Sequence, residues 1–150
     1  MLPATTTTSQ RCPVSQYGAG FTLIELMVVM LIIAVLSVIA ISTYESFITR
    51  SKVRTAENDL VALSLNVENY MQRQLQYPVL STKTTADTAG DFKGWHPAQG
   101  ADFTYTIQST AAAYKVVAAG ISGPLATCVL TLDSDDVRTV AGQCGSITSW

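Results

Sequence analysis

The chain has 150 residues, of which 48% are apolar and 13% are charged, and its formal net charge at pH 7 is −2. This length allows one modest domain and one special segment, and the slightly acidic charge excludes a general attraction for nucleic acid but not a local basic patch. Much of the apolar content is concentrated between Phe21 and Ile41, so the remaining residues have an ordinary soluble composition with a small core.

Three cysteines and one histidine limit the possible metal chemistry. Cys12 precedes the apolar run, whereas Cys128 and Cys144 lie near the C-terminus. If the chain is cut before Phe21, the two remaining cysteines either pair in an oxidising compartment, which contributes roughly 3 kcal/mol, or stay as reduced core thiols. Since His96 is the only histidine and no CxxC pattern occurs, we expect neither a metal site nor a cofactor.

The run from Phe21 to Ile41 contains one charged residue, Glu25. As a helix it spans roughly 31 Å, the thickness of the hydrocarbon core of a bilayer. Three interpretations fit: a cleaved signal peptide, a plain membrane anchor, or a membrane helix that later joins an assembly. A carboxylate in hydrocarbon has a high free-energy cost without a partner, so Glu25 is expected to have a function or a partner.

Several features disfavour an ordinary signal peptide. Arg11 is the only basic residue upstream of the apolar run, and it lies ten positions before Phe21. The run is also too long for a signal peptide and carries Glu25. Residues 40–42 have the small-x-small pattern of a cleavage site, but a cut there would divide a helix that continues beyond them.

The helix is predicted to continue as an amphipathic segment. Intervals of three and four residues place one set of apolar or small side chains on a single face, namely Val53, Ala56, Leu60, Leu63, Val67 and Tyr70. The opposite face is assigned to Arg54, Glu57, Asn58, Asp59, Asn66, Glu68 and Asn69. Because Gly and Pro are absent between Phe21 and Tyr77, we expect one helix over about residues 21–76, with a membrane half (21–42) and an amphipathic half (43–77).

The C-terminal region has the alternating pattern of short strands. Strands are predicted over residues 103–107, 114–118, 128–132 and 137–141, and residues 78–102 are interpreted as a long surface connection. An antiparallel meander within residues 103–150 needs a cover for its apolar face, and the amphipathic half of the helix supplies one. The predicted fold class is therefore α+β. Asp133, Asp135 and Asp136 lack the spacing of a calcium loop and are interpreted as a solvated turn.

The stretch Gly20-Phe21-Thr22-Leu23-Ile24-Glu25-Leu26, followed by the apolar run, resembles the class III signal of type IV pilins and pseudopilins. The resemblance implies that residues 1–20 are a leader, that a prepilin peptidase cuts after Gly20, and that it methylates the new N-terminal residue, Phe21. It also implies that Glu25 is the assembly residue, which pairs with the α-amino group of Phe21 on a neighbouring subunit. Alternatively, Glu25 lies near the headgroups, where the helix dipole favours an anion.

The C-terminal half resembles minor pilins of the PilE type more loosely. The likeness rests on Tyr105-Thr106-Ile107, the stretch from Tyr114 to Ala119, Cys128-Val129-Leu130-Thr131-Leu132-Asp133, and Cys144. It implies that Cys128 and Cys144 close a disulfide loop. Ala34 and Ser42 stand where many relatives have Gly and Pro, so this helix should resist local unwinding.

The resemblance implies a structural, minor subunit of a type IV pilus that supports pilus biogenesis, twitching motility, adhesion or DNA uptake. Its expected partners are the prepilin peptidase, other pilin subunits through the N-terminal helix, and the pilus assembly platform. The expected location is the bacterial inner membrane, with a periplasmic C-terminal domain, and after assembly the extracellular pilus. No nucleophile–base arrangement is apparent, so an enzyme is not expected.

Two alternatives remain, a DNA-binding competence pilin and a pseudopilin of a type II secretion system. Nucleic acid is a possible partner but is not favoured, because Lys115 and Arg138 lie among Asp133, Asp135 and Asp136. Trp95 and Trp150 would contact a partner if they are exposed, and core packing is the competing interpretation.

Overall fold

The computed structural model describes residues 20–150, except for the side chain of Ser42. The predicted leader, apart from Gly20, and Cys12 lie outside these residues. The chain divides into two compact units, the first ending at Val38 and the second comprising Ile39–Trp150. Helix α1 (Leu23–Gln74) has residues in both units, and its ends lie within two residues of the predicted ones.

In the first unit, α1 begins with a capped and exposed apolar turn. The backbone N–H of Glu25 donates a 3.2 Å hydrogen bond to Oγ1 of Thr22, which satisfies one of the free donors at the helix start. Every large apolar side chain between Leu23 and Val38 is exposed, from 42% to 76%. An 18-residue window of α1 has a mean hydropathy of 3.0 and no buried residue, so the helix is long and apolar enough to cross a membrane.

In the second unit, α1 covers one face of a sheet through the predicted apolar side chains. Val53, Ala56, Leu60, Leu63 and Val67 are all fully buried, which confirms the periodicity argument. The prediction was wrong at three other positions. Tyr70 is 41% exposed because it lies near the end of α1, whereas Glu57 and Asp59, assigned to the polar face, are buried at 6% and 8% exposure.

The sheet has four antiparallel strands in the order β1-β2-β3-β4. They are β1 (Phe103–Ser109), β2 (Tyr114–Gly120), β3 (Val129–Asp133) and β4 (Arg138–Ala141). Alternate side chains of β1, from Phe103 to Ser109, point into the core beside those of α1. This arrangement confirms the predicted α+β fold of a long helix packed on a small antiparallel meander.

The segment between α1 and β1 is more ordered than its composition indicates. It contains a short helix, α2 (Thr85–Asp91), which starts with a capping box formed by Thr84 and Asp87. Phe92 and Trp95 follow and are buried in the core. A surface connection was expected here because Thr, Ser, Ala and Gly dominate the segment, and the few large side chains that hold it to the core gave no periodic signal.

Candidate functional site

The residues of the expected processing site lie on an exposed stretch at the start of α1. Gly20 is exposed, and no atom lies within 4 Å of the position that a Cβ would take. Phe21 is 76% exposed. A protease can therefore reach the peptide bond between these two residues without moving any other described part of the chain.

Glu25 lies at the third position of α1, where the helix dipole stabilises a carboxylate. A cut after Gly20 would create an α-amino group two residues before the helix. The same dipole disfavours a cation at that end, so the new amine would need a nearby anion. The first turn thus holds the carboxylate of the expected assembly pair, and the amine would appear only after a cut before Phe21.

The exposed helix of the first unit satisfies its own polar groups. The hydroxyl of Ser37 donates a 2.7 Å hydrogen bond to the carbonyl oxygen of Ile33, one turn earlier. Glu25 is the only charged residue between Phe21 and Ile41. Such a surface is suited to lipid or to another apolar helix, because backbone and hydroxyl groups in hydrocarbon must find partners within the protein.

The disulfide implied by the resemblance is present in the second unit. Cys128 and Cys144 are bonded, their Cα atoms lie 4.9 Å apart, and both residues are buried. The loop that they close also contains the acidic turn. Oδ1 of Asp133 accepts hydrogen bonds of 3.0 Å from the backbone N–H groups of Asp135 and Val137, so this carboxylate organises the turn.

A basic groove lies beside the disulfide loop. Arg50 and Arg54 of α1 line it together with residues 146–149, and its volume is about 340 Å³. Nε of Arg50 donates a 3.0 Å hydrogen bond to the carbonyl oxygen of Gly145. Arg54 pairs with Glu57 at 2.9 Å. We call Arg50, Arg54 and residues 146–149 the arginine groove.

Sequence reasoning missed this groove because its two walls are far apart along the chain. The sequence prediction considered only the basic groups of Lys115 and Arg138. Arg138 pairs with Asp136 at 2.9 Å, and its guanidinium carbon lies over the ring of Trp150, 5.2 Å from the ring centroid. Among residues 20–150, Arg50 forms no ion pair with a carboxylate, and its contact with Gly145 joins positions 95 residues apart. No local pattern could have revealed that pairing.

The remaining candidate side chains lie in the core or at the surface of the second unit. Trp95 is 3% exposed and packs edge-on against Tyr105, with ring centroids 5.5 Å apart, so it is a core residue. Trp150 is partly buried and donates through its indole N–H to the carbonyl oxygen of Thr139. His96 is exposed. Among residues 20–150, no group of three or more His, Cys, Asp or Glu side chains is placed to hold a metal ion.

Three buried or partly buried tyrosines are held in the neutral form. Burial, followed by the Asp59 carboxylate to which it donates, raises the pKa of Tyr105 far above 10.0. Burial and then Glu68 raise the pKa values of Tyr77 and Tyr114 in the same direction. The raised pKa values keep these phenols protonated at pH values where a free tyrosine ionises, so Tyr77 and Tyr105 remain hydrogen-bond donors to Glu68 and Asp59 in alkaline solution.

Comparisons with known proteins fit both halves of the chain. Residues 17–41 match the family model of the prokaryotic N-terminal methylation motif. Residues 42–148 match the family model described as type IV minor pilin ComP, DNA uptake sequence receptor.

Several curated proteins are similar over parts of their length. The type IV major fimbrial protein FimA of Dichelobacter nodosus is 35% identical over 109 residues, which are 71% of this chain and 63% of that protein. A fimbrial protein of Pseudomonas aeruginosa is 38% identical over 72 residues, 48% of this chain and 46% of that protein. The type IV major pilin protein PilA of Myxococcus xanthus is 34% identical over 92 residues, 61% of this chain and 38% of that protein. The chain thus spans less than two thirds of the length of each relative.

Proposed function

Because this chain belongs to the type IV minor pilin ComP family, we propose that it is a structural, minor subunit of a type IV pilus. A prepilin peptidase cuts it after Gly20 and methylates Phe21, within the stretch that matches the N-terminal methylation motif. The observation that carries this proposal is the exposed apolar helix that begins with an accessible Gly20–Phe21 bond and a carboxylate in its first turn.

Before assembly, the chain is a single-pass protein of the bacterial inner membrane with its second unit in the periplasm. The apolar stretch up to Ile41 supports this location, since a surface with such exposed apolar side chains is not stable in water. After assembly, the same surface packs against the helices of other subunits in an extracellular pilus. The pseudopilin alternative finds no support in the relatives reported above, which are fimbrial or pilin proteins.

Glu25 sets the position of an incoming subunit. Its carboxylate meets the α-amino group of Phe21 on a neighbour, and in a bundle of apolar helices this pair acts over a short range. Burying two charges has a desolvation cost that offsets most of their attraction, so the pair determines axial register more than it adds stability. This role also explains why a charge is kept in a segment that is otherwise apolar.

Assembly of a Glu25→Gln variant tests the proposal. We expect the variant to insert in the membrane and to be cut after Gly20, yet to be strongly depleted from sheared filaments, because glutamine offers no charge to the amine. Glu45→Gln is the matched control, since Glu45 is an exposed carboxylate of the same helix in the second unit. Normal incorporation of the Glu25 variant would contradict the assembly role.

A second function, DNA reception, is favoured by a specific observation. The family that matches residues 42–148 is described as a DNA uptake sequence receptor, and the arginine groove adds two cations and exposed hydroxyl side chains beside the disulfide loop. Arginines and hydroxyl groups are the usual partners of DNA phosphates. We infer that DNA contacts this groove, although the net charge of the chain gives no general attraction.

The salt dependence of DNA binding separates this groove from other basic positions. In a gel-shift titration of the mature chain in detergent, we expect Arg50→Gln to weaken duplex binding and to lower the slope of log K against log salt by about 1. Lys83→Gln is the control, because Lys83 is exposed and does not line the groove. Equal effects of the two variants would contradict DNA contact at the arginine groove. Absence of binding by the wild-type chain would contradict a role in DNA reception altogether.

A further inference from the structure

The two arginines of the arginine groove have different partners. Nε of Arg50 donates to the carbonyl oxygen of Gly145 at 3.0 Å, and a neutral carbonyl group does not compensate its positive charge. Nη1 of Arg54 donates to Oε2 of Glu57 at 2.9 Å, so this charge is balanced by a carboxylate. Among the described residues, the groove is thus lined by one uncompensated cation and by one arginine that belongs to a neutral ion pair.

The burial of Glu57 fixes the guanidinium group of Arg54. The Glu57 side chain is 7% exposed, and its second oxygen, Oε1, is buried without a hydrogen-bond partner within the described chain. If Arg54 moved away, this buried carboxylate would lose its compensating charge, which is strongly destabilising. The Arg54 side chain is nevertheless 58% exposed, so its remaining N–H groups can reach a ligand while Nη1 stays on Glu57.

The wall opposite the two arginines is held in a fixed shape. Gly145 has a φ of +61°, and a Cβ at this position would lie 3.3 Å from the backbone nitrogen of Arg50, so the wall packs closely on α1. Ser146 has a φ of +68°, a left-handed conformation that non-glycine residues seldom adopt outside sites where structure holds them in it. The backbone N–H of Ile147 donates a 3.1 Å hydrogen bond to the carbonyl oxygen of Cys144, whose disulfide ties the wall to the residue before β3.

The two arginines suit different parts of a DNA molecule. A phosphate is an anion, so it is attracted by the uncompensated charge of Arg50 and repelled by the carboxylate that holds Arg54. A base edge is neutral and is not repelled, and the O6 and N7 atoms of guanine are two acceptors that match the donors of a guanidinium group. The two side chains start one helical turn apart, about 6 Å along α1, so one stretch of DNA can contact both.

We propose that Arg54 recognises the O6 and N7 edge of a guanine, that Glu57 is the positioning residue that orients Arg54, and that Arg50 binds a phosphate of the same DNA. The inference rests on the proposed DNA reception, and it adds a base preference to the arginine groove. Holding the guanidinium group in place before binding reduces the side-chain entropy that Arg54 loses in the complex. A planar set of donors in one orientation also distinguishes between base edges better than a mobile cation does.

A pair of duplexes tests the contact with guanine. Both have the same alternating guanine–cytosine sequence, but in one of them 7-deazaguanine replaces guanine, which removes the N7 acceptor and leaves the phosphate charge unchanged. In gel-shift titrations of the full chain in detergent, we expect the wild-type chain to bind the guanine duplex at least about 5-fold more tightly. The double variant Arg54→Gln/Glu57→Gln exchanges one neutral pair for another, so this ratio should fall to about 1 while the salt slope stays the same.

The single variant Glu57→Gln tests the positioning role. We expect it to lower the ratio and to make the slope of log K against log salt steeper by up to about 1, because Arg54 then becomes an uncompensated cation that contacts phosphates. A purely structural role of Glu57 would not steepen the slope. Arg50→Gln is the matched control, which should make the slope shallower by about 1 and keep the ratio.

Equal affinity of the wild-type chain for the two duplexes would overturn the guanine contact. An unchanged ratio and slope in Glu57→Gln would overturn the positioning role. If Glu57→Gln does not fold, the double variant decides, since it leaves no charge unpaired, and a ratio that it retains would overturn the inference. Absence of wild-type binding to either duplex would instead contradict DNA reception itself, so the two failures are distinguishable.

Discussion

The hydroxyl of Tyr105 on β1 donates a 2.8 Å hydrogen bond to the buried carboxylate of Asp59 on α1. The same carboxylate accepts hydrogen bonds of 3.1 and 3.0 Å from the backbone N–H groups of Ala98 and Gln99. One side chain thus joins the helix, the sheet and the segment that connects them. The indole N–H of Trp95 adds a fourth tie, to the carbonyl oxygen of Asp59.

We expect Asp59→Ala to lower the free energy of unfolding by about 2 to 4 kcal/mol, because it leaves the buried hydroxyl of Tyr105 and the part-buried N–H groups of Ala98 and Gln99 without their acceptor. Asp59→Asn should cost less, since its amide oxygen replaces part of the carboxylate. The neighbouring Asn58 is exposed, so Asn58→Ala should change stability by less than about 0.5 kcal/mol. Urea unfolding of the mature chain in detergent measures all three, and equal effects at positions 58 and 59 would refute this assignment.

Alkaline pH should weaken the fold through Tyr105. Its pKa is raised in the folded state by burial and by Asp59, whereas in the unfolded state it is near 10.0. Above pH 10 the unfolded chain therefore releases a proton that the folded chain retains, so the stabilisation present below pH 10 decreases as pH rises. Tyr105→Phe should flatten this decrease.

Tyr70→Phe is the control for the pH measurement, because Tyr70 is 41% exposed. Thermal unfolding of each variant between pH 8 and 11 gives the comparison. If Tyr105→Phe and the wild-type chain lose stability in parallel above pH 10, the neutral buried tyrosine does not contribute as described.

Gly142 is required in the disulfide loop. Its φ of +79° is a conformation that side chains disfavour, and a Cβ there would overlap the carbonyl oxygen of Thr127. We expect Gly142→Ala to destabilise the second unit by about 1 to 3 kcal/mol. Gly90→Ala should act in the opposite direction, because Gly90 lies in α2 with open space around it and alanine favours a helix. Melting temperatures that shift in the same direction would contradict this contrast.

Arg54 and Glu57 should behave as a coupled pair. Arg54 donates to one oxygen of the Glu57 carboxylate, and the other, buried oxygen has no hydrogen-bond partner within the described chain. Arg54→Ala should therefore be destabilising, and adding Glu57→Gln should recover part of the loss by removing the uncompensated charge. A double-mutant cycle measures the coupling, and strictly additive effects would show that the pair contributes nothing.

The elements that depend on local spacing could be predicted from the sequence. The core face of α1 follows intervals of three and four residues, and the strands follow alternation, so neither needs knowledge of the rest of the fold. The burial of Asp59 could not be predicted, because its partners Ala98, Gln99 and Tyr105 lie far away in the sequence. Glu57 pairs with Arg54 three residues away, but this spacing does not indicate that the carboxylate is buried. Helix α2 could not be predicted for a similar reason, since Thr88 is held in the core by hydrogen bonds to Thr82 and Tyr105.

The candidate sites also differ in whether a local sequence pattern can predict them. The motif from Gly20 to Glu25 is contiguous, so its chemistry can be read directly from neighbouring residues. The arginine groove depends on the contact between Arg50 and Gly145. This contact forms only when the C-terminal region packs on the helix, which no local pattern describes.

Mass determination of the N-terminal peptide of this chain, recovered from sheared surface filaments, tests its role as a processed pilus subunit most directly. We expect a chain that begins at Phe21, carries one methyl group on its α-amino nitrogen and is present in substoichiometric amount. A chain that begins upstream of Phe21, begins beyond Ile41, or is missing from the filaments would contradict the account.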